Sequence, residues 1–414
     1  MNTQREHLPA LTAIRFFAAV LVYLFHLHAF KISQGPAWLE NLSLTGFTGV
    51  SLFFVLSGFI LVYTYGSSRF AAKDFYWARF IRVYPAYLFS LLLAAPIFFF
   101  VLFKVPFTPE MQWIAWFKSN LALTMATVLG LVQAWLPPAA LGWNSVAWTL
   151  SNEAFFYAVY PLAFAGLVRL SRRPLQWALA ACWAVSLALT IAYVLARPDG
   201  VAGVNFEMNG LTWLNVVRFN PLVRLPEFLM GMCCGLLFLN RVVARRWATP
   251  LILAGLFAFT QVIALQAWIP YPILHNGLLS PAYAAIIYGL ALKPDWTEFF
   301  SWRPFQMLGE ASYSFYLTHS LVIAVFFQPT GRLEPRSLFM HALCFALATL
   351  TAIAIFRFVE EPARRRWRKR SARPTVTVPG LYRPPLPVEA ALDEVPTLPP
   401  PQQTPELDTP HNPT

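Results

Sequence analysis

Charge is what this chain has least of. Only 12% of its 414 residues are Asp, Glu, Lys or Arg, about half the share usual in a soluble domain. So few charges cannot clothe a water-soluble protein of this length, and 57% of the residues are hydrophobic. Cysteine is scarce as well. Cys182, Cys233, Cys234 and Cys344 lie in apolar stretches with no CxxC spacing, which argues against a disulfide framework and against a thiolate metal site. No other ligand spacing points to a metal, and none is expected. The 31 Lys and Arg against 19 Asp and Glu leave a net charge of +12. No stretch interleaves basic and aromatic residues like a nucleic-acid groove, so nucleic acid is not an expected partner. Internal repeats are missing. A cleavable leader is not expected either, because little positive charge precedes the first apolar run and no small-residue site follows it.

What the chain does have is long apolar runs. Ten of them, at about 8–30, 46–66, 83–103, 146–168, 175–196, 221–240, 249–267, 276–292, 305–328 and 338–359, are each near the ~20 residues that cross a bilayer's hydrocarbon. The expected fold is an all-α polytopic membrane protein, a bundle of about ten transmembrane helices. Basic residues gather between runs two and three (Arg69, Lys73, Arg79, Arg82), four and five (Arg169, Arg172, Arg173), six and seven (Arg241, Arg245, Arg246), and after run ten (Arg364 to Arg370). All fall on one side if both termini are cytoplasmic, which is the expected orientation in the inner membrane. The stretch 111–136 would break this alternation as a span. It is expected to be a re-entrant or interfacial segment buried against other helices. Residues 1–370 form the expected membrane domain, and the proline-rich residues 371–414 a disordered cytoplasmic tail.

Ionisable groups inside apolar runs are costly and mark function or pairing. Arg15 and His26 are eleven residues apart in the first run, so a helix places them on one face, about 16 Å apart along its axis. His28 points elsewhere. Arg79 and Arg82, three apart at the start of run three, are neighbours on a helix and suit phosphate groups. Glu153 lies within run four, with Trp148, Ser151, Asn152 and Tyr157 as polar company. Arg224 and Glu227 have the spacing of an intrahelical ion pair. Glu310 and His319 belong to run nine, where Tyr313 and Tyr316 are expected hydrogen-bond partners for His319. Glu360, Glu361 and Pro362 before the final basic run mark an expected helix end. Each group also has a plainer reading: Arg15 and the arginine pair meeting lipid headgroups, His26 and His319 linking helices, and Glu153 pairing with an arginine.

In order along the chain, Arg15…His26, TGVSLFFVLSGFIL (48–61), RFIRVYP (79–85), WTLSNEAFFYAVYP (148–161), RLPEFLMG (224–231), SYSFYLTHS (312–320) and EEPARRR (360–366) resemble the acyltransferase-3 family of integral membrane acyltransferases. The set spans nearly all of residues 8–370. It departs from the family pattern at Ser51, where Asp is frequent, at Ala154, where a second Glu is frequent, and at Thr318–Leu321, where a Trp-His-x-Pro motif is usual.

The resemblance implies acyl-CoA, acetyl-CoA above all, as a donor substrate on the cytoplasmic side, with no bound cofactor. It matches Arg15 and His26 to a catalytic pair and Arg79 and Arg82 to donor binding. An imidazole, with an ordinary pKa near ~6.5, suits proton removal from an attacking hydroxyl. His26 is therefore the expected general base, an acyl-histidine intermediate being a variant, with Glu153 orienting it or binding the acceptor. Trp148, Ser151, Arg224, Glu227, Glu310 and His319 are acceptor-site or structural candidates. Expected partners are membrane lipid and a carbohydrate or other hydroxyl acceptor, with glycan-assembly proteins as candidates for a separate partner. The competing function is a transporter or flippase for a sugar, lipid-linked glycan or acyl group, against which the lack of paired half-sequences argues.

Overall fold

A computed structural model describes residues 7–32, 35–66, 71–107, 111–327 and 338–371, all within a unit running Met1–Val378. The expected proline-rich tail beyond residue 371, and Arg69, lie outside the described residues. The described secondary structure is helical throughout. Eight helices among these residues are long and apolar enough to cross a membrane.

Each of the ten expected spans falls on a helix. The first seven helices are α1 (Pro9–Ala29), α2 (Ala37–Thr45), α3 (Gly49–Tyr65), α4 (Ala72–Lys104), α5 (Gln112–Ser119), α6 (Leu121–Leu129) and α7 (Trp148–Leu167). Then come α8 (Arg172–Ala196), α9 (Thr212–Phe219), α10 (Pro221–Leu239), α11 (Ala248–Ala264), α12 (Tyr271–His275) and α13 (Ser280–Ala291). The last are α14 (Arg303–Phe327), α15 (Leu338–Ile355) and α16 (Glu361–Ser371). Helices α7 and α14 have the length of a span, at 20 and 25 residues, yet stand outside the eight most apolar candidates. Their sequences hold Ser151, Asn152 and Glu153, and Tyr313, Thr318 and His319. Both helices thus carry several of the candidate site residues named from the sequence.

The core is built by close backbone approach. A Cβ at Gly58 would overlap the Phe228 carbonyl, and one at Gly231 the Val55 carbonyl, so α3 and α10 touch only because both positions lack a side chain. In lipid, where helix association relies on packing rather than hydrophobic force, such contacts hold the bundle. Helix α1 lies against α14 and α3, with Ala13, Ala18 and Ala19 buried.

Segment 111–136 does not cross as one helix. It breaks at Asn120 between α5 and α6, each too short to span ~30 Å. Tyr87 and Tyr84 of α4 donate to the carbonyls of Val128 and Leu129, at 2.7 and 3.1 Å, tying α6 against α4.

Two expectations need correcting. Residues 276–292 do not form one continuous helix: α12 stops at His275 and α13 starts at Ser280, with Gly277 at φ 74° between them. A break inside a bundle needs other partners for its freed backbone groups. Arg224 donates to the His275 carbonyl at 2.7 Å, and Glu227 accepts from the Gly277 N–H at 2.9 Å. The chain also does not stop at Glu360. Residues Phe356–Glu360 form a π turn that runs on into α16, and the register shift of that turn goes with an inward-facing Glu360, 3% exposed.

Candidate active site

His26 sits in the last turns of α1, its Nδ1 2.8 Å from the carbonyl oxygen of Val22. A carbonyl only accepts, so Nδ1 carries the proton and the neutral ring keeps its lone pair on Nε2. His319 on α14 repeats the arrangement, with Nδ1 3.2 Å from the Phe315 carbonyl. Its Nε2 is then an acceptor, and it faces His26 Nδ1 at 3.1 Å. One N–H of His26 is thus shared between Val22 and His319, and two helices cooperate to fix its tautomer. The rings meet edge-on at 4.8 Å, with Tyr23, Phe315 and Tyr316 around His319. The tyrosines expected to bond His319 do otherwise. Tyr313 donates to the Val83 carbonyl at 2.9 Å and Tyr316 to that of Val146 at 3.1 Å, fastening α14 to its neighbours.

His26 lines a cleft of about 850 Å³ shared with Trp148, Arg218, Phe219, His275 and Tyr316. That volume suits a ligand of substantial size. Trp148 packs against Phe219, ring centroids 4.8 Å apart, and His275 stacks on Phe47 at 5.1 Å. His28 lies against Phe206, centroids 5.5 Å apart, and does not line the cleft.

Val50 and Tyr316 also line a second, small cavity of about 40 Å³, together with Arg15, Glu153 and Tyr313. The two spaces therefore adjoin across Tyr316, with His26 on one side and Arg15 on the other. Glu153 accepts from Tyr157 Oη at 3.0 Å and feels the charges of Arg82, Arg15 and Arg79. The carboxylate belongs to the arginine cluster. The groups that orient His26 are Val22 and His319.

Beyond Arg15 the cationic groups accumulate. Arg79 donates to Tyr65 Oη at 3.1 Å and lies over the rings of Tyr65, Phe75 and Tyr157. Arg82 and Arg15 interact with each other and with Glu153 and Glu360. Glu360 accepts from Ser314 Oγ at 3.1 Å and pairs with Arg364 at 3.4 Å. Four guanidinium groups here meet two carboxylates, an excess of two positive charges that suits an anionic ligand.

The remaining candidates divide. Ser151 is fully buried and accepts from the Ala134 N–H at 3.4 Å, so it ties α7 to the 130s turn. Arg224 and Glu227 form the expected pair at 2.9 Å, both 1% exposed. Arg224 also donates to Ser51 Oγ at 3.2 Å and to Asn276 Oδ1, at the position where the family often carries Asp. Glu310 is exposed on α14, away from both cavities. Sequence reasoning missed Arg218 and His275 in the cleft and the inward turn of Glu360. Arg218 and His275 fall just outside the expected spans, where a polar residue attracts no notice.

Residues 8–358 match the acyltransferase-3 family, described as an acyltransferase domain. Acyltransferase MdmB of Streptomyces mycarofaciens is 27% identical over 419 residues, covering 94% of this chain and 97% of its own length. O-acetyltransferase OatA of Staphylococcus aureus is 25% identical over 385 residues, 87% of this chain and 58% of the relative. Peptidoglycan O-acetyltransferase OatA of Listeria monocytogenes is 25% identical over 389 residues, 87% and 56% respectively. The chain thus spans little more than half the length of the OatA relatives. No solved structure matches it. Polytopic, all-helical and matched along nearly its whole membrane domain, the chain belongs to the acyltransferase-3 family of membrane acyltransferases.

Proposed function

We propose that this protein moves an acyl group, acetyl in the simplest case, from acyl-CoA to a hydroxyl of a carbohydrate or related cell-surface or secreted acceptor, with His26 as general base. The observation that carries the reading is the fixed tautomer of His26, whose Nδ1–H is engaged by Val22 and His319. A lone pair on Nε2 is what removal of a hydroxyl proton requires. The hydroxyl oxygen attacks the thioester carbonyl carbon while its proton passes to Nε2. Collapse of the tetrahedral intermediate breaks the C–S bond, and the same proton leaves on the CoA sulfur.

The donor's phosphates suit the cationic cluster of Arg79 and Arg82, with Glu153 and Tyr157 holding that cluster in place. Its long arm would run past Arg15 and the small cavity to reach the cleft at Tyr316. Both termini are cytoplasmic in this reading, the membrane is the cytoplasmic one, and the acceptor enters the cleft from the far side. Residues 1–370 act as the transferring domain. The test is turnover of the purified full chain in detergent with labelled acetyl-CoA and a panel of sugars. Detergent removes sidedness, so an enzyme still produces acylated sugar. A transporter or flippase produces none.

A further inference from the structure

Two buried arginines six residues apart have opposite surroundings. Arg224, 1% exposed, has its counter-charge in Glu227 and donates to the His275 carbonyl, Asn276 and Ser51, although its Nε too is buried with no partner among the described residues. Arg218 on α9, 5% exposed, makes one hydrogen bond among the described residues, from Nη1 to Asn209 Oδ1 at 3.0 Å. Its guanidinium lies over Phe219 at 4.6 Å and Tyr271 at 5.5 Å. Nε is buried with no partner among the described residues. No carboxylate among them reaches Arg218 as an ion pair. Asp199 is spent on Tyr193 Oη and the N–H groups of Trp213 and Leu214. Glu207, at the exposed rim, sits 3.9 Å from Lys31.

Ring contacts and one neutral hydrogen bond do not offset the several kcal/mol that burial of an ion costs. No described residue supplies the counter-charge, and an anionic occupant of the cleft, which Arg218, Asn209 and His26 line together, would supply it. The geometry of the unused guanidinium edge is specific. Nη1 is taken by Asn209, while Nε and Nη2 share the opposite edge of the guanidinium, and that edge presents two parallel N–H groups to a carboxylate or phosphate.

We propose that Arg218 is an anion-binding subsite for the acceptor, so that the substrate acylated here is a hydroxyl compound that also carries a carboxylate or phosphate group. This rests on the assignment of the His26 cleft to the acceptor. Aromatic walls at Trp148 and Phe219 hold its uncharged body, and the charge at Arg218 sets which hydroxyl can lie against His26.

The test is binding to the purified full chain in detergent, without acyl donor, of glucuronate, glucuronamide, glucose 6-phosphate, glucose and CoA. Expected is saturable binding of glucuronate, glucose 6-phosphate or both, with the neutral sugars at least tenfold weaker. Arg218→Gln weakens the anion on the order of tenfold or more, the loss of a buried charge-assisted contact. Arg218→Lys, which keeps the charge and loses the fork, falls between. Preference for glucuronate over glucose 6-phosphate assigns a carboxylate, and the reverse a phosphate. Charged and neutral probes binding alike, or none binding, overturns the proposal. So do unchanged anion affinities in both variants, and so does a response to CoA alone that depends on Arg218, which would assign the arginine to the donor. Should Arg218→Gln not fold, wild-type affinity in Arg218→Lys overturns it by itself. Because no acyl group moves in this assay, Arg218-dependent anion binding in a protein that transfers nothing would retire the transfer reading alone.

Discussion

Replacing Glu227 by Leu should cost this protein more than almost any other single change. The carboxylate is 1% exposed and 2.9 Å from Arg224, and it accepts from the Gly277 N–H at 2.9 Å and Ser280 Oγ at 3.3 Å. Without it Arg224 keeps only neutral acceptors. Breaking a buried pair from one side typically costs about 3–5 kcal/mol, because the remaining charge is stranded. The orphaned Gly277 N–H, at the break between α12 and α13, adds about 1–3 kcal/mol. The two overlap, so a loss of at least about 3 kcal/mol is expected. SDS-induced unfolding of the purified protein in mild detergent measures it. Arg224→Met combined with Glu227→Leu removes both charges, and should cost less than the sum of the two single changes by about 2 kcal/mol. A loss below about 1 kcal/mol for Glu227→Leu, or strict additivity in the double variant, would refute the view that this pair stabilises the broken helix.

Other changes separate packing from chemistry. Gly231→Val drives a side chain into the Val55 carbonyl and should destabilise by about 1–3 kcal/mol or more, whereas Gly166→Val, with open space around it, should be near neutral in the same unfolding assay. His319→Phe removes the acceptor opposite His26 Nδ1, so kcat should fall about two- to tenfold, the worth of one neutral hydrogen bond. Acceptor KM should hold, and His319→Gln should recover much of the loss; a change confined to KM would contradict a positioning role. Arg79→Gln and Arg82→Gln should each raise the acyl-CoA KM on the order of tenfold or more while leaving the ranking of acceptors intact, as steady-state kinetics with several sugars would reveal.

The sequence made the scaffold legible because hydrocarbon imposes a length on every apolar run, and each expected span falls on a helix, although 276–292 is helical only from Ser280. It made the shared face of Arg15 and His26 legible through helical geometry alone. What it hid depends on how helices sit against one another. His319 is 293 positions from His26, and only packing of α14 on α1 brings their rings together. Helix periodicity could not foresee that Glu360 turns inward, since a π turn resets the register by one residue. The break at Asn276 and Gly277 had a local signal in its Asn-Gly pair, but what satisfies its freed backbone groups was hidden, since Arg224 and Glu227 reach them from α10. Arg218 shows the same limit: a single arginine before an apolar run looks like a loop charge until its burial is known.

The central claim is that His26 Nε2 takes the acceptor's proton. Its most direct test is acyl transfer by His26→Ala, purified with wild-type unfolding behaviour and wild-type CoA binding. Transfer from labelled acetyl-CoA to an accepted sugar should fall by about 100-fold or more. Full turnover in that variant would contradict the account.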